Sequence, residues 1–130
     1  MKLRIAIAED NHFLAKAIKE KLSFFEDITV KFLAKNGAEL IGKLAEDHLV
    51  DVILMDIQMP EMDGLEATKA IRRAGISIPI VGLSANVFEQ DKQKALNAGM
   101  NDYLHKPIVF EHLTQSMNRW LTNNRSALNN

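Results

Sequence analysis

Residues 52–64 read Val-Ile-Leu-Met-Asp-Ile-Gln-Met-Pro-Glu-Met-Asp-Gly, and this stretch carries the fold prediction. Its first four residues are all apolar, which is typical of a strand covered on both faces of a parallel sheet. Asp56 follows the strand, and Pro60 and Gly64 mark the next residues as a loop. The sequence therefore predicts a buried strand that delivers a carboxylate to one edge of a sheet.

The segments on both sides of this stretch alternate between strand and helix patterns. Short apolar runs predict further strands at 3–8, 28–34, 78–83 and 103–105. Apolar residues at helical spacing predict helices at 12–25, 38–48, 65–74, 87–98 and 110–121. Five strands alternating with five helices predict an α/β fold, in which a doubly wound parallel sheet carries helices on both faces. Asn36-Gly37 is interpreted only as the break after the second strand, and Arg72-Arg73 as a solvated helix end.

Length and composition exclude several classes of protein. The chain has 130 residues, 47% of them hydrophobic, which fits one domain with a full core. We expect that domain over residues 1–122, with 123–130 as a polar tail or linker stub. With 16 basic against 17 acidic residues, the charge gives no support to direct nucleic-acid or membrane binding. The chain contains no cysteine, and its N-terminal apolar run is too short for a signal peptide, so a cytoplasmic location is expected.

Polar side chains follow four of the five predicted strands. Glu9 and Asp10 follow the first strand, Asp56 the third, Ser84 the fourth and Lys106 the fifth. Each residue alone is unremarkable, but the carboxyl ends of parallel strands meet at one edge, where such folds bind ligands. Three carboxylates there would repel one another unless a cation were bound, and hard oxygen ligands favour Mg²⁺. An aspartate can also attack phosphorus, and a lysine and a hydroxyl can bind the remaining phosphoryl oxygens.

This set of motifs resembles the receiver domain of two-component response regulators. Residues 56–64 are similar to the phosphoacceptor loop of that family, and Glu9-Asp10 to its acidic pair. Ser84-Ala85 is similar to the Ser/Thr-Ala pair, Lys106-Pro107 to the Lys-Pro pair, and Tyr103 to the switch aromatic. The resemblance covers about residues 3–121 and implies a flavodoxin-like strand order of 2-1-3-4-5. It also implies a phosphoprotein of phosphorelay signal transduction.

The resemblance implies a role for each residue of the acidic edge. Asp56 would accept a phosphoryl group from a sensor histidine kinase or a histidine phosphotransfer protein. Mg²⁺ would be bound by Asp10, Asp56 and the backbone carbonyl of Gln58, with Glu9 holding a metal-bound water. Lys106 would contact the phosphoryl oxygens, and its peptide bond to Pro107 would be cis.

The resemblance also implies a conformational switch with an output surface. Ser84 would move to the phosphoryl group and Tyr103 would swing inward, which reshapes the surface of helix 4, strand 5 and helix 5. An effector domain or a phosphorylation-dependent dimer could use that surface, with Phe88, Lys92, His112 and Gln115 as candidate contacts. Asp102 matches the acidic member of one known dimer network, but Gln115 and Ser116 stand where an arginine would be expected. Gln58 and Asn86 are neutral amides expected to flank the phosphoryl group and to set its lifetime.

Three alternative functions are considered. An aspartyl-phosphate phosphatase would need an acid/base two residues after the nucleophile, where Gln58 stands. A flavin module of the same shape would need a glycine- and hydroxyl-rich loop in place of Glu9-Asp10-Asn11-His12. The chain could also be the receiver half of a longer DNA-binding transcriptional regulator. In every version that includes a receiver it is not an enzyme in the usual sense, although it would catalyse its own phosphorylation and dephosphorylation.

Overall fold

The computed structural model describes residues 3–85 and 88–129, with side chains up to residue 120. Strands and helices alternate along the whole described chain. The strands are β1 Leu3–Ala8, β2 Ile28–Ala34, β3 Val52–Asp56, β4 Ile80–Ser84 and β5 Asp102–His105. The helices are α1 His12–Leu22, α2 Gly37–Glu46, α3 Gly64–Arg73, α4 Glu89–Ala98 and α5 Phe110–Asn129.

The sheet confirms the predicted topology. Its five strands run in the order β2-β1-β3-β4-β5, and every neighbouring pair is parallel. Each connection therefore crosses over through a helix, which covers both faces of the sheet. Because β1 lies between β2 and β3, the chain reverses its winding direction at β1 and opens a crevice beyond the β1 and β3 carboxyl ends.

Alternate residues of the central strands pack on opposite faces. On one face Ile53, Met55 and Ile80 pack with α2 and α3 residues such as Leu40 and Ile71. On the other face the strand side chains pack with α1 and α5 residues, and this second cluster includes Ile5, Ile7, Leu54, Leu83, Ile18, Leu22, Leu113 and Met117. At about 25 cal/mol per Å² of apolar area removed from water, these two layers supply the main stabilisation of the fold.

Most element boundaries lie within three residues of the prediction, and two of the differences have identifiable reasons. The fourth strand begins at Ile80, and Pro79 stays outside it because proline has no N–H for the ladder. The fifth helix continues to Asn129, eight residues beyond the predicted Leu121. The predicted end rested on polarity, but the sequence after Pro107 contains neither glycine nor proline, so no residue type there breaks a helix.

Arg72 is not the solvated helix end that the sequence suggested. Its Nε donates to the Gly99 carbonyl at 3.0 Å, and Nη1 donates to the Ile76 and Ile78 carbonyls at 2.8 and 2.9 Å. Its Nη2 donates to the Asn101 side chain at 2.9 Å. One guanidinium therefore joins the end of α3 to the segments that enter β4 and β5.

Among the described residues, no helix is both long and apolar enough to cross a membrane.

Candidate functional site

Three carboxylates meet beyond the carboxyl ends of β1 and β3. Ala8 pairs with Met55 in the parallel ladder, so the residues that follow them, Glu9 and Asp56, lie side by side. Each of Glu9, Asp10 and Asp56 places one oxygen within 4.8 Å of the other two. Glu9 and Asp56 are each only 2% exposed, whereas Asp10 faces solvent. The structure thus brings together the acidic residues that the sequence assigned to this edge.

Lys106 supplies a positive charge to this acidic pocket. Its Nζ lies 2.8 Å from Glu9 Oε1 and 3.2 Å from Asp56 Oδ1. The Lys106 N–H donates to the Ser84 carbonyl at 2.7 Å, which continues the β4–β5 pairing past the end of β5. The Lys106–Pro107 peptide bond is cis, as the family resemblance implied. Burial favours the neutral amine, but the hydrogen bond to Glu9 and the charge of Asp56 outweigh it and raise the Lys106 pKa.

Burial and repulsion raise the pKa of two of the carboxylates. The pKa of Asp56 is raised from 3.8 to about 6, first by burial and then by its contact with Glu9. The pKa of Asp10 is also raised, by burial and by the neighbouring Asp56. Both shifts mean that the folded protein holds negative charge here at a cost, which a bound cation would offset.

The donor set fits Mg²⁺. Glu9 Oε1 is engaged by Lys106, while Oε2 is buried and has no hydrogen-bond partner among the described residues. A buried acceptor of this kind calls for a donor that protein side chains do not supply, and a metal-bound water is one such donor. Carboxylate oxygens, partly open to solvent through Asp10, are the ligands that Mg²⁺ takes in proteins.

The loop from Ile57 to Asp63, the 57–63 loop, leaves the pocket and enters α3. The Ile57 N–H donates to the Leu83 carbonyl at 3.0 Å, and the Gly64 N–H donates back to the Ile57 carbonyl at 2.8 Å. A Cβ at Gly64 would overlap the Asp56 carbonyl oxygen, so only glycine fits there. Asp63 caps α3 by accepting from the Glu66 N–H at 2.8 Å. Gln58 is exposed within this loop, next to the pocket in sequence.

The two residues assigned to the switch lie on neighbouring strands. Ser84 ends β4 and is 2% exposed, and Tyr103 lies on β5 and is 6% exposed. The register pairs Gly82 with Tyr103 and Ser84 with His105. The Tyr103 ring meets the His105 ring edge to face, with centroids 5.3 Å apart. Asn86, the second residue assigned to phosphoryl lifetime, lies outside the described residues.

The predicted output surface is accessible along α4 and α5. Phe88 is 63% exposed, and Lys92, His112 and Gln115 are exposed as well. Asp102, by contrast, is engaged within its own chain. Its Oδ2 accepts from Ser116 Oγ at 2.6 Å and from Trp120 Nε1 at 3.2 Å.

Comparison with known families decides the class of this site. A family model described as the response regulator receiver domain matches residues 5–118. The chain belongs to this family. The receiver domain is a signalling module, and neither the phosphatase nor the flavin alternative is favoured.

The relatives place similar receiver domains in two kinds of longer protein. The chain is 41% identical over 129 residues to hybrid signal transduction histidine kinase H of Dictyostelium discoideum, covering 95% of this chain and 9% of that protein. It is 34% identical over 117 residues to response regulator MprA of Mycobacterium ulcerans, covering 90% of this chain and 49% of that protein. The chain thus spans about a tenth of the hybrid kinase and about half of the regulator.

Solved structures agree with the receiver fold. The receiver domain of Francisella response regulator 1452 superimposes with a TM-score of 0.84 at 30% identity, covering 95% of this chain and 99% of that chain. A two-component response regulator from Clostridium difficile gives 0.85 at 30% identity, with 93% and 97% covered.

Sequence reasoning missed one element of this region. It assigned nothing specific to the end of β2, yet Asn36 is buried there and Gly37 contacts the 57–63 loop. The Asn-Gly pair was the available signal. Asparagine commonly caps a helix, and glycine has no side chain and so lets a second backbone come close.

Proposed function

We propose that Asp56 is the phosphoacceptor of this receiver domain, with Mg²⁺ as cofactor and a phosphohistidine as donor. The observation that carries the proposal is the Glu9, Asp10 and Asp56 cluster with Lys106 bonded into it. Asp10, Asp56 and the backbone carbonyl of Gln58 would bind the metal, and Glu9 Oε2 would hold a metal-bound water. Bound Mg²⁺ supplies positive charge that lets an anionic carboxylate and an anionic phosphoryl group approach each other.

Asp56 has the protonation state that a nucleophile needs. With a pKa of about 6 it is mostly ionised at neutral pH, while burial leaves it poorly solvated. One carboxylate oxygen attacks phosphorus as the bond between phosphorus and the donor imidazole nitrogen breaks. The imidazole leaves with the electron pair of that bond and is protonated, so the product is an aspartyl phosphate and a neutral histidine.

Lys106 and Ser84 would stabilise the transferred group. Lys106 Nζ already contacts Asp56 Oδ1, so a small movement brings its charge to a phosphoryl oxygen on that carboxylate. Ser84 ends β4, the strand next to β3, and its hydroxyl can donate a hydrogen bond to another phosphoryl oxygen. The space that Ser84 leaves would be taken by Tyr103, which couples the pocket to the surface of α4, β5 and α5.

The phosphoryl lifetime would depend on Gln58 and Asn86. Both are neutral amides, so neither can remove a proton from an attacking water, although each can orient one. The partner that supplies the phosphoryl group would be a sensor histidine kinase or a histidine phosphotransfer protein. The output would be an effector domain or a phosphorylation-dependent contact on the α4, β5 and α5 surface.

Acetyl phosphate with Mg²⁺ tests the assignment of Asp56. We expect the intact mass to increase by one phosphoryl group, and hydroxylamine to remove it because an acyl phosphate is susceptible to that nucleophile. Asp56→Asn should show no increase, and Asp63→Asn, which keeps the α3 cap, should be labelled like wild type. Full labelling of Asp56→Asn would show that another residue is the acceptor.

A further inference from the structure

The end of β2 makes direct contacts with the 57–63 loop, about 25 residues away in sequence. The Gly37 N–H donates to the Met62 carbonyl at 2.9 Å. Asn36 Nδ2 donates to Glu61 Oε2 at 3.3 Å. The loop is therefore tied to the start of α2 at two consecutive residues.

Asn36 has two separate functions in this contact. Its Oδ1 accepts from the Glu39 N–H at 2.8 Å and so caps α2. Its Nδ2 points the other way, to Glu61, and the residue is only 5% exposed. An asparagine side chain can accept at the cap and donate to the loop at once, whereas an ionised aspartate can only accept.

Glu61 needs support from its surroundings. Its φ is +63°, in the left-handed region that residues with a Cβ seldom occupy. The Met62 N–H also folds back onto the Pro60 carbonyl at 2.7 Å, which makes a tight turn at this point. The hydrogen bond from Asn36 holds the side chain of the one non-glycine residue that takes this conformation in the described chain.

Gly37 sets how close the two backbones come. A Cβ at this position would lie 2.7 Å from the Met62 carbonyl oxygen and 2.9 Å from Ala67 Cβ. Any side chain at 37 would therefore push the loop away from α2. Gly42 in the same helix has no heavy atom within 4 Å of an added Cβ, so it offers a matched comparison.

We propose that Asn36 and Gly37 are positioning residues that brace the 57–63 loop and thereby fix the backbone of Gln58 at the metal pocket. The loop is already closed at its base by the Gly64 to Ile57 hydrogen bond, so the brace at Glu61 and Met62 fixes its far side. The connection to Mg²⁺ rests on the proposed function, in which the Gln58 carbonyl binds the ion. Through this brace, residues that do not touch the metal set the affinity for it.

The first experiment separates the cap from the brace. Asn36→Asp keeps the acceptor for the α2 cap but removes the hydrogen-bond donor to Glu61. It also places a second carboxylate next to the Glu61 carboxylate. We expect it to weaken Mg²⁺ binding roughly fivefold, the factor that corresponds to the ~1 kcal/mol of one hydrogen bond. Glu61→Gln alone should bind Mg²⁺ like wild type, because its amide oxygen still accepts from Asn36. When both substitutions are combined, the new amide at position 61 can donate to the new carboxylate at position 36, so affinity should return.

The second experiment uses glycine substitutions and needs no metal. In chelator, Gly37→Ala should speed hydrogen exchange of the amides at 57–63, whereas Gly42→Ala should leave it unchanged. Gly42→Ala should also be slightly more stable than wild type, since alanine favours the helix interior.

The outcomes separate the brace from the function it serves. Unchanged Mg²⁺ affinity and unchanged loop exchange in Asn36→Asp, or no recovery in the double variant, would overturn the brace. If wild type bound no Mg²⁺, the proposed function would fail, while loop exchange in chelator would still test the brace by itself.

Discussion

At the scale of single residues, the fold holds like charges close together, where they repel one another and are poorly solvated. Glu9 and Asp56 are both nearly inaccessible, and Lys106 is the one cation that contacts them in the described chain. The unfolded chain separates these carboxylates, so their repulsion and desolvation arise only in the folded state. The consequences can be measured as stability differences between the metal-free protein and its variants.

Asp56→Asn should stabilise the metal-free protein near neutral pH. The folded pKa of about 6 exceeds the ordinary value of 3.8, so the folded state binds this proton more tightly than the unfolded state does. Stability from this group therefore increases as pH falls from above 6 towards 3.8. At ~1.36 kcal/mol per pKa unit, the variant gains up to about 3 kcal/mol at pH 7 and nearly nothing below pH ~3.8.

Urea melts in chelator at several pH values test this expectation. The difference between Asp56→Asn and wild type should shrink as pH falls, and taking this difference cancels contributions from other groups. Asp10→Asn should show the same direction, because the Asp10 pKa is also raised. If both variants were less stable than wild type in chelator at pH 7, the carboxylates would not share a repulsive pocket.

Asn86→Glu should change the phosphoryl lifetime. An amide at this position cannot act as a base, whereas a carboxylate can position and polarise an attacking water. We expect faster loss of the acyl phosphate in the variant, towards the ~100-fold that marks the lower end of general base catalysis. The decay of labelled protein in Mg²⁺, after the acetyl phosphate has been removed by desalting, measures this rate, and Asn86→Gln serves as the amide control. Equal decay rates for the Glu and Gln variants would argue against a role for position 86.

At the scale of elements, α4 is held mainly at its C-terminal end. Its buried side chains are Ala95 and Ala98, and its N-cap Phe88 makes no side-chain cap bond. Gly99 ends the helix in the left-handed conformation, and Arg72 donates to the Gly99 carbonyl. Among the described residues, the N-terminal part of α4 therefore has no buried side chain, which suits an element that would move in the proposed switch.

Arg72→Met should destabilise the fold, while Arg73→Met should not. Burial lowers the Arg72 pKa. Four hydrogen-bond acceptors nevertheless hold the guanidinium in place. Losing them should cost about 2–3 kcal/mol, because partly buried carbonyls would lose a charged donor. Arg73 is exposed, and its replacement should stay within about 0.5 kcal/mol. Chemical melts of both variants compare them directly, and equal losses would refute the special role of Arg72.

The contacts of Asp102 argue against one mode of dimerisation. Ser116 and Trp120 already donate to its Oδ2, and Arg119 Nη1 lies 3.6 Å from the same atom. We therefore expect no dimer through Asp102 and α5 when beryllofluoride mimics the phosphoryl group.

Because the chain has no cysteine, Gln115→Cys gives a unique crosslinking site, and Lys16→Cys on α1 measures random collision. Crosslinking of Gln115→Cys that rises on activation above the Lys16→Cys level would contradict this expectation.

At the scale of the whole molecule, Mg²⁺ should act as a stabiliser of the fold. The cluster of Glu9, Asp10 and Asp56 exists only when β1 and β3 are paired, so the ion binds the folded form preferentially. At about 100 times its dissociation constant the gain is about 2.7 kcal/mol. Thermal melts with Mg²⁺ and with chelator should differ accordingly, and Asp10→Asn should reduce the difference. A melting temperature that does not respond to Mg²⁺ in wild type would refute the metal site.

The sequence by itself determined the class of fold and the residues that lie at the carboxyl edge of its sheet. Strand-like and helix-like spacings of apolar residues alternate along the chain, and this alternation implies a parallel sheet. Residues that follow its buried strands must lie at one edge of the sheet. The 56–64 loop and the Lys106-Pro107 pair are contiguous motifs, so a single chain reveals them without coordinates. The strand order, the cis peptide bond and the family membership are confirmed.

Only the tertiary structure decided which distant residues Asn36, Gly37 and Arg72 contact. Asn36-Gly37 looks like a strand break and Arg72 like a helix end, because local patterns report what a residue does to its own segment. Their partners, Glu61 and Met62 for the pair, Gly99 and Asn101 for Arg72, lie about 25 to 29 residues away. Such contacts depend on how helices pack over the sheet, and that packing is a property of the assembled core rather than of any one stretch.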